Sequence, residues 1–536
     1  MDGHDPAPER NAVLAGQQMV AASHPSVSAV GARVLADGGN AVDATIAMAA
    51  MCWLALPGQC GIGGDAFAVV RDSGGPVWTV GGSGFGPDGG EPEFYTERGY
   101  SAIPLHGALA VAAPGAIAAL AALHQRAGTR SLAELWQPAI TAAARGLPCT
   151  RKTRDDIAAH ERVLAADEGT SRMFLPGERV PGIGDRLPYP EFAETLCTIA
   201  DDPAALYRGE LAQRAVAALR AGSAPFSGTD WELAGTATTG DAITGGYRDL
   251  LVHETPLPSP GWMVLQQAAL CDGALGELPA LSARAVGYLA AAARRAFHDR
   301  ARRGGSDTEA WRDVLGPGAV AAARADIAAG RPMVAAGVHP DGDTTSTVAV
   351  DSDGRAVSFL HSLAFTFGAR ITVPGTGIVL NNRLGRGSYL MPGHPNEVKP
   401  RRRPMHTLNA WLATDRQGRL RHIGNTPGGD GQVQWNMQLL SHLADHGMDP
   451  QQAVSAPRFT VYPGSDADTL GQQDELRCES RLGEWTIASL RGDGHTVRVL
   501  GPWAAGGSAL VITVDTERGY LSGGADPRQD GVVLGD

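Results

Sequence analysis

The sequence predicts an α+β fold in which helices cover an antiparallel sheet framework. Two stretches alternate apolar and polar residues on either side of short turns, at 344–350 with 356–360 and at 510–514 with 520–521, as hairpins do. A glycine-rich loop at 57–65 runs from an apolar helical stretch directly into an apolar strand. No internal repeat and no low-complexity tract competes with this reading.

The elements follow in order. Val27, Val30, Val34 and Leu35 keep helical spacing; Ser26 is placed to cap the start and Gly38-Gly39 to end it. Asn40 caps a second, nearly all-apolar helix reaching Leu56. The loop Pro57 to Asp65 then leads into a strand over 66–70, and a second strand is predicted at 77–80. Pro114-Gly115 opens an Ala/Leu-rich helix to Ala127. From Arg130 to about Arg331 the chain reads as mostly helical. Residues 332–343 are polar and glycine-containing, the texture of an exposed loop, and strands follow from Thr344.

Composition narrows the function. The 536 residues carry 45 Lys+Arg against 57 Asp+Glu, a net charge of -12, and no long basic block, which argues against a nucleic acid partner. The first ten residues are polar and acidic with no apolar segment after them, so a cytoplasmic protein is expected. The longest apolar stretch, 45–57, falls short of the roughly 20 residues that span a bilayer, so no membrane association is expected. Six dispersed cysteines without a C-x-x-C pair read as reduced core thiols. The 15 histidines include no H-E-x-x-H, and no metal or other cofactor is expected.

Among the motifs, Gly61-x-Gly63-Gly64 precedes a strand and lacks a following Lys-Ser/Thr, so it reads as close packing where a phosphate cradle would open a helix. No G-x-S-x-G elbow is present. Asp343-Thr344 is different, because a threonine opening an apolar strand directly after a Gly-Asp loop has the form of an N-terminal nucleophile. One peptide cleavage would expose its α-amine beside its own hydroxyl. Taken alone, it is also the form of an ordinary strand start.

Several segments together resemble the γ-glutamyltransferase superfamily of N-terminal nucleophile hydrolases, across roughly residues 18–531. They are Gly38-Gly39-Asn40-Ala41-Val42-Asp43-Ala44, Gly61-x-Gly63-Gly64-Asp65-Ala66-Phe67, Asp343-Thr344-Thr345, Phe367-Gly368, Gly375-x-Gly377-Ile378 and Asn381-Asn382-Arg383. Further along come Pro427-Gly428-Gly429-Asp430-Gly431-Gln432, Ala456-Pro457-Arg458-Phe459 and Asp526-Pro527-Arg528. The resemblance implies a four-layer αββα sandwich, made as one chain and self-cleaved between Asp343 and Thr344. The products would be a helix-rich large subunit, 1–343, and a small subunit, 344–536, of about 36 and 20 kDa by share of length. They would stay together as a heterodimer, with a higher homo-oligomer also open.

By family position, Thr344 is the nucleophile, Thr345 and Ser362 hydrogen-bond it, and the Gly428 and Gly429 amides form the oxyanion hole. Arg383, His406, Thr407 and Asp430 fall on the substrate side. The glutamyl-binding positions depart from the family pattern. An Arg-Glu motif is replaced by Gly82-Ser83-Gly84-Phe85-Gly86-Pro87, an asparagine and an aspartate by Ala364 and Arg386, and a Ser-Ser pair by His406-Thr407. The sequence is similar to the branch holding oxamate amidohydrolase and glutathione hydrolase-like proteins, which implies hydrolysis of a small carboxylate-bearing amide with Arg383 as carboxylate partner. The alternatives are a C–C bond hydrolase of the same superfamily from alkylproline-type antibiotic pathways, a true γ-glutamyltransferase, and an uncleaved binding paralogue.

Overall fold

Fourteen strands build two seven-stranded sheets in a computed structural model that describes residues 10–330, 342–464 and 474–536. In chain order they are β1 (Val13–Ala15), β2 (Met19–Ala22), β3 (Asp65–Arg71), β4 (Val77–Gly82), β5 (Thr238–Asp241), β6 (Ile243–Tyr247), β7 (Leu250–Glu254), β8 (Gly342–Val350), β9 (Ala356–Phe365), β10 (Trp411–Asp415), β11 (Leu420–Asn425), β12 (Leu510–Asp515), β13 (Tyr520–Ala525) and β14 (Val532–Gly535). The first sheet has the order β14-β2-β8-β9-β3-β4-β5, the second β1-β13-β12-β11-β10-β7-β6, and every neighbouring pair is antiparallel.

The helices that matter for the site are α1 (Pro25–Ala36), α2 (Ala41–Ala55), α3 (Gly261–Cys271), α4 (Ala283–Arg303) and α5 (Gly431–Ala444). Strand alternation sorts the apolar residues into separate cores. Val348, Leu360, Phe67 and Val69 of the first sheet pack with Leu412, Ile423 and Ile512 of the second. The opposite face of the first sheet, with Ala349, Val357, Phe359 and Ala68, packs on α1 and α2. The outer face of the second sheet, with Trp411, Ala413 and Val511, packs on α3, α4 and α5. Every residue of α2 is buried, as its nearly unbroken apolar sequence requires, and Asn40 caps it reciprocally with Asp43. No helix among the described residues is long and apolar enough to cross a membrane.

Three expectations need correction. His24, not Ser26, caps α1, its Nδ1 accepting from the Ser26 amide at 3.2 Å. The stretch from Arg130 to Arg331 carries β5, β6 and β7 among its helices; Gly240, Gly245 and Gly246 break the apolar alternation and hide these strands from pattern reading. The strand expected from Thr344 begins earlier, at Gly342, while 332–341 of the expected exposed loop lie outside the described residues.

Candidate active site

The end of β8 that carries Thr344 departs from regular pairing. Asp343 lies opposite Ala364 and Thr345 opposite His361, so two residues of β9, Ser362 and Leu363, face Thr344. The glycine-rich loop after α2 fills the space this opens. The Leu363 amide donates to the Gln59 carbonyl at 3.0 Å and the Phe367 amide to that of Gly58 at 2.7 Å. Any side chain at Gly64 would strike the Ser362 carbonyl, 2.3 Å from where its Cβ would stand, so the glycines serve close backbone approach as expected. Ala364 holds φ at +87°, a left-handed conformation costly for a residue with a Cβ, and the Ser362 hydroxyl accepts its amide at 2.8 Å.

Even-numbered residues of β8, and of β9 up to the bulge, face the second sheet. Ser358 shows this by donating to the Gly424 carbonyl of β11 at 2.9 Å and accepting from Asn425 Nδ2 at 2.9 Å. Thr344 lies on that side and is 1% exposed; its hydroxyl accepts from Gln432 Nε2 at 3.4 Å. Gln432 leaves the first turn of α5, directly after Gly428 and Gly429. Those glycines take φ of +124° and +57°, and a Cβ on Gly428 would sit 2.2 Å from the Trp435 ring. The turn therefore presents bare backbone at the positive end of a 14-residue helix, an arrangement suited to a developing oxyanion.

A buried charged group flanks this space from β3. Asp65, paired in register with Ser362, accepts from Arg383 Nε at 3.3 Å and meets His406 Nε2 at 3.2 Å; all three side chains are fully buried. Arg383 is delivered by Asn381, whose Oδ1 accepts the Arg383 amide at 2.9 Å while its Nδ2 binds the Gly63 and Ala112 carbonyls. Burial works against a charged Asp65, yet the His406 hydrogen bond and the Arg383 guanidinium hold its pKa below the ordinary value. For His406, burial and then the Arg383 charge draw the pKa down to about 4, so the ring is neutral at pH 7 and Arg383 is the charge that balances Asp65. With Nε2–H given to Asp65, Nδ1 is an acceptor, buried and without a partner among the described residues, as is Thr407 Oγ1. Arg386, also buried, donates from Nη1 to the Ala364 carbonyl at 2.9 Å, so two positions that depart from the family pattern touch each other.

The other side of β8 meets different partners. Thr345 Oγ1 donates to Gln59 Oε1 at 3.0 Å, and His361 Nδ1 accepts from Trp53 Nε1 of α2 at 3.3 Å. Burial disfavours a thiolate at Cys60, but the hydrogen bond with Cys52 and the His361 ring outweigh it and draw the thiol down to about 5, while burial pushes Cys52 up.

The structure thus gathers Thr344, Gly428, Gly429, Ser362, Arg383 and His406 at one end of the two packed sheets. Thr345 sits beside them with its hydroxyl on Gln59, and Asp430 turns its carboxylate to Arg300 Nη1 at 3.3 Å. Sequence reasoning gave no role to Gln59, Gln432, Arg300 or the Asp65 carboxylate. Asp65 and Gln432 stood inside quoted motifs, and counting alternate residues from Thr344 would have placed Thr345 on the helix side. Among the described residues no group of three or more His, Cys, Asp or Glu could hold a metal ion.

Known proteins share this whole framework. The family model for gamma-glutamyltranspeptidase matches residues 27–536. The chain is 32% identical to the glutathione hydrolase-like YwrD proenzyme of Bacillus subtilis, over 98% of this chain and 99% of that protein. It is 31% identical to the oxamate amidohydrolase proenzyme of Klebsiella pneumoniae, over 96% and 98%. Among solved structures, a cephalosporin acylase from Bacillus halodurans superposes with a TM-score of 0.90 at 28% identity, covering 100% of this chain and 99% of that one. The chain belongs to the gamma-glutamyltranspeptidase family and is an enzyme of its N-terminal nucleophile hydrolase type.

Proposed function

We propose that this protein cleaves itself between Asp343 and Thr344 and then hydrolyses a small carboxylate-bearing amide with Thr344 as nucleophile, within the four-layer αββα sandwich of such hydrolases. One observation carries the reading: the bulged end of β8 sets the Thr344 hydroxyl against Gln432, which follows the Gly428-Gly429 turn, while Asp65 of β3, in register with Ser362 of β9, holds Arg383. Relatives named oxamate amidohydrolase and acylase support an amide as the scissile group.

In the precursor, Thr344 Oγ adds to the Asp343 carbonyl carbon, the hydroxyl proton passes to the Thr344 nitrogen, and the C–N bond breaks to leave an ester. Water opens the ester, giving chains 1–343 and 344–536. The freed α-amine, with a reference pKa near 7.7, accepts the hydroxyl proton near neutral pH. Oγ then attacks the substrate carbonyl, the Gly428 and Gly429 amides take the oxyanion, the amine leaves with a proton, and water releases the acid. Asp65 holds Arg383 by Nε and so fixes the plane of a guanidinium whose terminal nitrogens take the substrate carboxylate.

Hydrolysis of such an amide is favoured over γ-glutamyl transfer because Arg386 and Ala364 stand where the family binds the glutamyl head group and are bonded to each other. Each lost charged hydrogen bond weakens a glutamyl substrate by about 1.5–3 kcal/mol. Intact-mass spectrometry should find two chains meeting at Asp343/Thr344, and oxamate should be turned over in preference to γ-glutamyl-p-nitroanilide. A persistent single chain, or rapid transfer from the γ-glutamyl compound to Gly-Gly, would refute the corresponding half of the proposal.

A further inference from the structure

We propose that Gln432 is a catalytic residue whose carboxamide holds both reacting atoms: Nε2–H stays on Thr344 Oγ through attack and departure, and Oε1 receives the N–H that forms at the departing nitrogen. This rests on Thr344 being the nucleophile. Among the described residues, Gln432 is the one side chain hydrogen-bonded to Thr344 Oγ1, at 3.4 Å. Its Oε1 is buried and has no partner among those residues, and the side chain as a whole is fully buried. A buried amide oxygen left unpaired is unfavourable, so its persistence beside the nucleophile points to a donor that arrives during the reaction.

The backbone keeps the group in place. The Gln432 amide donates to the Gly429 carbonyl at 3.1 Å and that of Gly431 to Gly428 at 3.0 Å, so the glutamine and the oxyanion glycines form one rigid turn at the head of α5.

The chemistry uses both ends of the carboxamide. As Oγ bonds to carbon it gives up its proton, and as the ester is later opened Oγ departs with the electron pair of the C–O bond. It is more negative near both transition states than in the resting hydroxyl, so a fixed N–H on it stabilises those states more than the ground state. At nitrogen, breaking the C–N bond turns an amide with one N–H into an amine with two, and Oε1 accepts the new one. The same pairing applies to a substrate amide during turnover and needs no further reactant than water.

Self-cleavage tests this without knowledge of the substrate. Wild type, Gln432→Leu and Gln432→Glu would be made in a short cell-free synthesis pulse and followed by intact mass at several pH values, with Tm measured on each. Gln432→Leu should cleave about 100-fold more slowly, the loss expected for one donor on a developing oxyanion. Gln432→Glu should be comparably slow at about pH 8, where the carboxylate has no proton to donate. Its rate relative to wild type should rise at least about tenfold towards pH 5, as the buried carboxyl is protonated and donates again.

Gln432→Leu cleaving within about threefold of wild type would remove Gln432 from the reaction. A Gln432→Glu ratio that stays flat with pH would reduce it to a structural role, and this ratio decides alone if the leucine variant does not fold. Wild type that never cleaves would overturn the Thr344 reading itself, an outcome distinct from either.

Discussion

Thr344 and Thr345 are neighbours in β8, yet the first faces the second sheet and the second faces the loop after α2. On the sheet side the partners are groups that can change during a reaction: the Gln432 carboxamide, a turn of bare glycine backbone, and a neutral His406 beside a charged Asp65–Arg383 pair. On the helix side Thr345 gives its proton to Gln59, and Trp53, His361, Cys52 and Cys60 pack behind it. One residue of register separates the threonine proposed as nucleophile from the one whose hydroxyl is tied to Gln59.

The sharpest way to break that comparison is Thr344→Ala. Removing the sheet-side hydroxyl should abolish cleavage altogether, leaving one chain of about 55.6 kDa by intact mass while Tm changes little. Processing of this variant at the same junction would hand the chemistry to another residue.

Next in size is the buried pair that borders the site. Arg383→Ala leaves the Asp65 carboxylate without its cation in a fully buried position, which should cost about 3–5 kcal/mol in urea unfolding. Adding Asp65→Asn should return most of that loss, because the pair acts as a unit. A loss below about 1 kcal/mol would mean that the pair contributes little to holding the sheet side together.

How much of this was legible beforehand depends on whether a feature is local. α2 and its cap, the hairpins of β8–β9 and β12–β13 and the Thr344 strand are written in short-range periodicity, and the reading found them. The strand β5 and the hairpin β6–β7 were lost because Gly240, Gly245 and Gly246 interrupt the alternation, and the cap of α1 moved because Pro25, not Ser26, begins the helix. Within the site, the residues of quoted motifs came together, since Asn381 spends its side chain on delivering Arg383 and Gly428 has no room for a Cβ beside Trp435. The partners that decide chemistry were not legible, because Asp65 meets His406 across 341 positions and Thr345 meets Gln59 across 286. Such contacts follow from topology and from the bulge, which no local pattern announces.

Acid should weaken the sheet side through its buried histidine. A histidine whose folded pKa lies below its ordinary value is protonated first in the unfolded chain, so stability is whole above about pH 6.5 and falls as pH drops. For His406 the fall runs from 6.5 to about 4, a loss of about 3 kcal/mol. Protonation of Asp65, whose pKa is depressed, adds to it at still lower pH. His422 and His442, with pKa values drawn down to about 4 and about 3 chiefly by burial, act in the same direction. Urea unfolding at pH 7 and pH 5 should show the drop, and His406→Asn should make it shallower. An unchanged slope in that variant would mean that His406 titrates normally.

The smallest expected effect separates the two threonines most cleanly. Thr345→Val keeps the shape of the side chain, suits a strand, and removes one hydroxyl, leaving Gln59 Oε1 buried without its donor. Stability should fall by about 1–3 kcal/mol, the cost of an unsatisfied buried acceptor. Self-cleavage should continue within a few-fold of wild type, because the Thr345 hydroxyl is turned to Gln59 while Thr344 is held by Gln432. The family resemblance assigns Thr345 the opposite task, a hydrogen bond to the nucleophile, and on that assignment the same substitution would slow cleavage by 100-fold or more. Measuring cleavage rate and Tm on this one variant therefore separates the two assignments. A stable protein that cannot cleave would move Thr345 to the sheet side of the mechanism, and a less stable one that cleaves normally would leave it as the brace behind β8.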